Sequence, residues 1–167
     1  MNTLILTLRV IHILAGVVWV GGTLIMTVFI APAAGSTAEA GQKFLNHIMN
    51  NMKFGQRMAV AAVLSILAGA ILFWIDSSGF TSSWMSSSAG RNFGIGAGFA
   101  IVGFVFGVLV GNAGRGLAKL GVQSQSNPSA EQATQMQALS KQLRIFSISA
   151  STSLMISVFF MSIARFA

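Results

Sequence analysis

The feature that most constrains this chain is a set of four long apolar runs separated by short polar segments. A helix that crosses a bilayer needs about 20 mostly apolar residues. Runs at about 3–31, 57–76, 91–113 and 141–165 each supply that length. The expectation is an all-α protein, an integral membrane four-helix bundle. All of residues 1–167 then belong to a single transmembrane domain whose first partner is the lipid bilayer.

Composition supports the same class. Hydrophobic residues make up 54% of the chain and charged ones 8%, against roughly 25% charged in soluble domains. Nothing remains for a separate soluble domain. Cysteine is absent, which excludes disulfides, thiolate ligands and Cys-based zinc sites. The net charge of +7 does not point to nucleic acid, because the ten Lys and Arg residues sit at the ends of apolar runs and form no basic stripe. Ala31-Pro32-Ala33 loosely fits a signal-peptide cleavage site. However, no Lys or Arg precedes Arg9 and the apolar run is too long, so the first run reads as a retained helix.

Between the first and second spans, Pro32 ends the first helix and Ser36-Thr-Ala-Glu39 fits a capping box. The short segment that follows is amphipathic. Phe44, Leu45, Ile48, Met49 and Met52 share one side, and Gln42, Lys43, Asn46, His47 and Asn50 the other, as in a helix lying on the membrane surface. Small residues then recur every four positions in the spans: Ala61/Ser65/Gly69 in the second, Gly94/Gly98 and Gly103/Gly107/Gly111 in the third, Ser149/Ser153/Ser157 in the fourth. Such faces let a neighbouring backbone approach closely. They are more numerous than one bundle requires, so a homo-oligomer or further membrane subunits are expected. The loop after Asp76 is rich in serine, with Phe80 and Trp84 suited to the interface. A Gln- and Ser-rich linker is expected over 119–137, with Asn127-Pro128-Ser129 opening the last helix.

Seven of the ten cations flank the first and third loops, and Arg9, Arg91 and Arg165 lie on the opposite side. The positive-inside rule places both termini outside a bacterial inner membrane and the two basic loops in the cytoplasm.

Little in this chain carries chemistry, and His12 carries most of it. It is the only ionisable side chain in residues 10–31, and ionisable groups at membrane depth point to function. Arg9 lies three residues earlier on the same helix face, which continues through Gly16, Trp19, Thr23 and Thr27. A neutral imidazole is a ligand for haem iron. On that reading His12 binds the metal of haem b, Gly16 leaves room for the macrocycle, Trp19 packs on it, and Arg9 and Arg91 receive the propionates. The alternative is that His12 bonds a neighbouring helix while the arginines snorkel to head groups. His47, on the polar side of the surface segment, reads as solvated. Nine methionines raise copper(I), but their spread suits gap-filling. A Ser–His–Asp hydrolase has its residue types present, with nothing to set a serine beside His12.

The segment His12-Ile-Leu-Ala-Gly-Val-Val-Trp19-Val-Gly-Gly22, with Phe29-Ile-Ala-Pro32 closing the helix, resembles the opening of two related groups. One is the membrane domain of copper-resistance protein D. The other is the haem-associated protoporphyrinogen oxidase family, in which a first-helix histidine is implicated in haem binding. The resemblance implies a four-helix membrane fold and a role for His12 in haem binding. The oxidase family carries a His and a Lys after the Trp of its following loop; here 86–92 holds Arg91 as its only cation. Three functions stand open: haem b or porphyrin binding with a role in redox chemistry or haem metabolism, a non-catalytic accessory subunit, and transport of copper or another small solute.

Overall fold

A computed structural model describes residues 3–123 and 129–166. Helix α1 (Thr3–Ile25) passes through a π-helical turn (Met26–Ile30) into α2 (Ala31–Ser36). Helix α3 (Ala38–Asn46) and a second π turn (His47–Asn51) lead to α4 (Phe54–Asp76). The short α5 (Ser82–Met85) precedes the two longest helices, α6 (Ser88–Gln123) and α7 (Ala130–Ile163). No strand occurs among the described residues. Four helical stretches are long and apolar enough to cross a membrane: Thr3–Ser36, α4, α6 and α7. The chain is an all-α integral membrane protein, with the amphipathic α3 between its first two spans.

The bundle is two antiparallel pairs, α1 with α4 and α6 with α7, joined by narrower contacts of α1 with α7 and of α4 with α6. Lipid is as apolar as leucine, so close packing and hydrogen bonds hold such helices together more than hydrophobic burial does. The buried positions reflect this: Ala61, Ala62, Ser65 and Ala68 on α4, Gly96 and Gly103 on α6, Ala150, Ser153 and Ser157 on α7. Large apolar side chains such as Leu14, Val17, Ile101 and Phe159 stay on the outside. Trp19, Leu72 and Leu154 are the large apolar side chains that are buried among the described residues, and Trp19 is the bulkiest of them. Trp19 lies where all four long helices meet, 6% exposed, against Ala61, Ala62 and Leu154, with Phe104 edge-on at 6.3 Å.

On α6 the structure selects among the glycines. A β-carbon at Gly96 would meet Met161 and Ser157, and one at Gly103 would meet Leu154, so these two, seven residues apart, seat α7. Gly94, Gly98 and Gly107 have nothing within 4 Å of that position. The α6–α7 contact therefore repeats with heptad spacing instead of running along the four-residue Gly94/Gly98 and Gly103/Gly107 rows. The face with Ser153 and Ser157 does pack inward, and Ser151 adds a hydrogen bond to Thr27 of the first span at 3.0 Å.

Several boundaries differ from those expected. The first helical stretch does not stop at Pro32. The π turn just before it passes the Ala31 N–H to the Met26 carbonyl. Widening a turn in this way accommodates a residue that has no N–H and crowds the preceding turn. The Ser36/Glu39 capping box does not form: Thr37 is the N-cap of α3 but its hydroxyl donates back to the Ala33 carbonyl at 3.0 Å and caps nothing, Ser36 Oγ donates to Ala33 O, and Glu39 pairs with Lys43 at 2.7 Å. Gly41 is needed in α3 because a side chain there would strike the Ala34 carbonyl.

Most of the expected 119–137 linker is helix, since Ala, Leu, Lys, Gln and Met are strong helix formers and Leu139 and Leu143 rest on Gly116 and Gly114. With 36 residues α6 is roughly 54 Å long at 1.5 Å per residue, well beyond a hydrocarbon core of about 30 Å. The ends of α6 and α7 on the basic-loop side thus extend past the apolar layer as a helical hairpin. Ser129, within the expected start signal, is the N-cap of α7, and it forms a capping box with Gln132. Asn127 and Pro128 lie outside the described residues.

Candidate functional site

His12 stands on the flank of α1 that faces α4. The four-residue row Ala61/Ser65/Gly69 lets the two backbones approach there, and the imidazole fills the room opposite Gly69. A β-carbon at 69 would lie 2.7 Å from Cε1 and 2.8 Å from Nδ1 of the ring. Nδ1 lies 2.8 Å from the Ser65 carbonyl oxygen. A carbonyl only accepts, so Nδ1 carries the proton and donates it. Ser65 Oγ donates in turn to the His12 carbonyl at 3.1 Å. The two helices are tied by a reciprocal pair of bonds. Nε2 is then the unprotonated nitrogen, with its lone pair unused by any protein hydrogen bond among the described residues.

A serine does therefore sit beside His12, although nothing in the sequence put one there. Ser65 is no activated nucleophile, however. Its hydroxyl is buried and its proton goes to a backbone carbonyl, while the ring nitrogen that faces it is a donor.

One turn beyond His12, toward the start of α1, Arg9 meets Asp76 at 3.9 Å, both about one-third exposed. Such a pair contributes about 0–1 kcal/mol in water. It is consistent with the register that the close contacts set: Ser65 and Asp76, eleven positions apart, share one face of α4 as Arg9 and His12 share one face of α1. The pairings His12–Ser65 and Arg9–Asp76 thus lie along one α1–α4 seam, with Gly69 and the buried Leu72 between them on α4.

The remaining sequence-stated residues are dispersed. Gly16 is on the seam, and Ser65 Oγ lies 3.3 Å from where its β-carbon would be, so α4 itself takes the room this glycine leaves. Trp19 lies seven residues from His12, roughly 10 Å along the axis, and serves the four-helix core. Arg91 is exposed near the start of α6, at the same end of the bundle as Arg9. His47 is exposed in the turn before α4. Ser65 lies eleven residues into α4, roughly 16 Å from its start, so the two histidines do not share a site. Met58 and Met161 fill the space over Gly22 and Gly96. Among the described residues no three His, Asp or Glu side chains converge as a metal cage would require.

Beside Arg9 and Asp76, the loop after α4 is held by aromatic contacts. Trp84 meets Phe73 edge-on at 5.3 Å and stacks on Phe93 at 6.4 Å, and Trp74 meets Phe80 at 5.0 Å. Ser77 is fully buried, its Oγ accepting from the Phe80 N–H at 2.9 Å and donating to Trp74 O. The sequence reads as a polar, serine-rich loop with Phe80 and Trp84 suited to the interface. The aromatic residues, spaced across two helix ends and α5, make that loop a packed one.

Sequence reading already sets Asp76, the only acid close to a span, at the same outer helix ends as Arg9 and His12; Ser65 and Gly69 are the site residues it did not join to His12. The available signal was helical spacing, three residues between Arg9 and His12 and four and seven between Ser65, Gly69 and Asp76, which puts each set on one helix face once the two helices are taken as antiparallel neighbours.

Compared with family models, curated proteins and solved structures, the chain matches none.

Proposed function

We propose that this protein binds haem b in the membrane through Nε2 of His12 and serves redox chemistry or haem metabolism in a bacterial inner membrane. One observation carries the reading: the Nδ1–H···O=C bond to Ser65 fixes the tautomer and ring plane and leaves the Nε2 lone pair free to ligate a metal. A ligating histidine is ordinarily oriented by such a bond from its other nitrogen, which also raises its basicity. The donor set fits haem better than a bare metal ion, because haem brings four nitrogens of its own and asks the protein for one or two. His12 would hold the iron, and Arg9 and Arg91, at the same end of the bundle, would hold propionates. Arg9 would do so by exchanging or sharing Asp76. Bound haem supplies one-electron chemistry. The chain itself orients the imidazole, keeps water from the seam with the small residues of α4, and supplies positive charge at its end. The resemblance of the His12–Gly22 segment to haem-associated oxidases points the same way.

The test is an absorption spectrum of the purified protein, as isolated and after addition of haem. A Soret band with sharp reduced α and β bands is expected. His12→Ala should abolish it, and His47→Ala should leave it nearly unchanged. Absence of any His12-dependent band removes the proposal.

A second reading, an accessory subunit, rests on Gly94, Gly98 and Gly107. Helix glycines that face nothing leave a surface on which another backbone can seat. In that case the His12–Ser65 bonds are a helix clamp and no more.

A further inference from the structure

A groove of about 660 Å³ runs between α1 and α4 on the flank of the pair away from the His12 seam. Its walls are Val10, Leu14 and Val18 on α1 and Val60 and Leu64 on α4, with Ala15 at its floor. Those valines and leucines are largely exposed, and they belong to two membrane-crossing helices, so the groove opens toward lipid. Its end at the start of α4 is different in kind: Lys53, Gln56 and Arg57 line it.

Among the described residues no acid pairs with these two cations. The chain has three acids. Glu39 pairs with Lys43, Asp76 pairs with Arg9 at the far end of α4, and Glu131 lies on the first turn of α7, beside Gln135. Lys and Arg side chains only donate, and the Gln56 amide adds two further N–H groups. The first turn of α4 receives no side-chain cap, so its N–H groups point the same polarity toward this end. An apolar slot that ends in clustered donors at the edge of the apolar layer is complementary in shape and charge to one class of bilayer component.

We propose that this groove binds an anionic phospholipid, an acyl chain lying along Val18, Leu14 and Val10 and the phosphate held by Lys53 and Arg57. Basic pockets between membrane helices take phosphate head groups in this way, and each cation near the surface adds to the attraction. The site is separate from His12 and stands whether or not haem is bound.

Native mass spectrometry of the purified full chain tests it, with dioleoyl-phosphatidylglycerol and dioleoyl-phosphatidylcholine added at equal concentration. The two lipids share their chains and differ in charge. The phosphatidylglycerol adduct should dominate, and the double variant Lys53→Gln/Arg57→Gln should weaken it roughly 30-fold. Lys43→Gln, which removes an exposed cation already paired with Glu39, should not. Ala15→Phe and Val60→Phe, on opposite sides of the groove, should each displace the lipid while helix content by circular dichroism stays unchanged; either alone is sufficient if the other misfolds. Equal retention of the two lipids overturns the proposal, and so does an undiminished adduct in the double variant. Displacement of the lipid by glycerol phosphate as readily as by competing phosphatidylglycerol also overturns it, because the groove would then contribute nothing.

Discussion

Gly69→Ala adds one methyl group, and the structure makes it costly. The new carbon would lie 2.7 and 2.8 Å from two ring atoms of His12, well inside the roughly 3.5–4.0 Å of a favourable contact. The ring cannot simply swing aside, since Nδ1 is bonded to the Ser65 carbonyl at 2.8 Å. Either the helices separate or the hydrogen bond breaks. Overpacking of this kind costs about 1–3 kcal/mol, and a lost interhelical hydrogen bond in a membrane protein adds about 0.6 kcal/mol. The expected destabilisation is therefore about 2–4 kcal/mol. Gly98→Ala is the control: nothing lies within 4 Å of its β-position, and exchanging glycine for alanine in a helix should be neutral or stabilising by up to about 1 kcal/mol. Reversible unfolding in mixed micelles, titrated with a denaturing detergent and followed by circular dichroism, measures both. The decisive comparison is a double-mutant cycle. In a His12→Ala background, Gly69→Ala should lose most of its cost, because the ring it strikes has gone. A cost that is unchanged without His12, or equal to that of Gly98→Ala, would refute the reasoning.

Two further expectations follow from the same packing and charge arguments. Gly103→Leu should destabilise the isolated bundle by about 1–3 kcal/mol, because its β-carbon meets Leu154. Gly107→Leu should leave unfolding unchanged or slightly more difficult, as for Gly98→Ala, and alter self-association, measured by size in mild detergent. A reporter fused after Ala167 should be external, given that seven of ten cations flank the first and third loops; a cytoplasmic reporter reverses the orientation.

The sequence determined the class of this protein outright. Four long apolar runs and 8% charged residues permit little besides membrane-crossing helices, because those are properties of each segment alone and need no partner to be read. The amphipathic α3 was legible for the same reason, and so was the row Ala61/Ser65/Gly69 as a packing face. What depends on two segments at once was not legible. A glycine looks the same in sequence whether α7 rests on it, as at Gly103, or nothing does, as at Gly107. Ser36-Thr-Ala-Glu39 has the letters of a capping box, yet the run-on of helix through the π turn leaves Ser36 inside α2, while the working box lies at Ser129 and Gln132. Trp19 reads as part of His12's face, and only the meeting of four helices assigns it to the core. His12 shows the division most clearly. Its isolation in an apolar run marks it from sequence, because a lone polar group in lipid demands a partner. That the partner is the Ser65 carbonyl, leaving Nε2 free, was decided by the antiparallel register of α1 on α4, where Gly69 admits the ring and Arg9 meets Asp76.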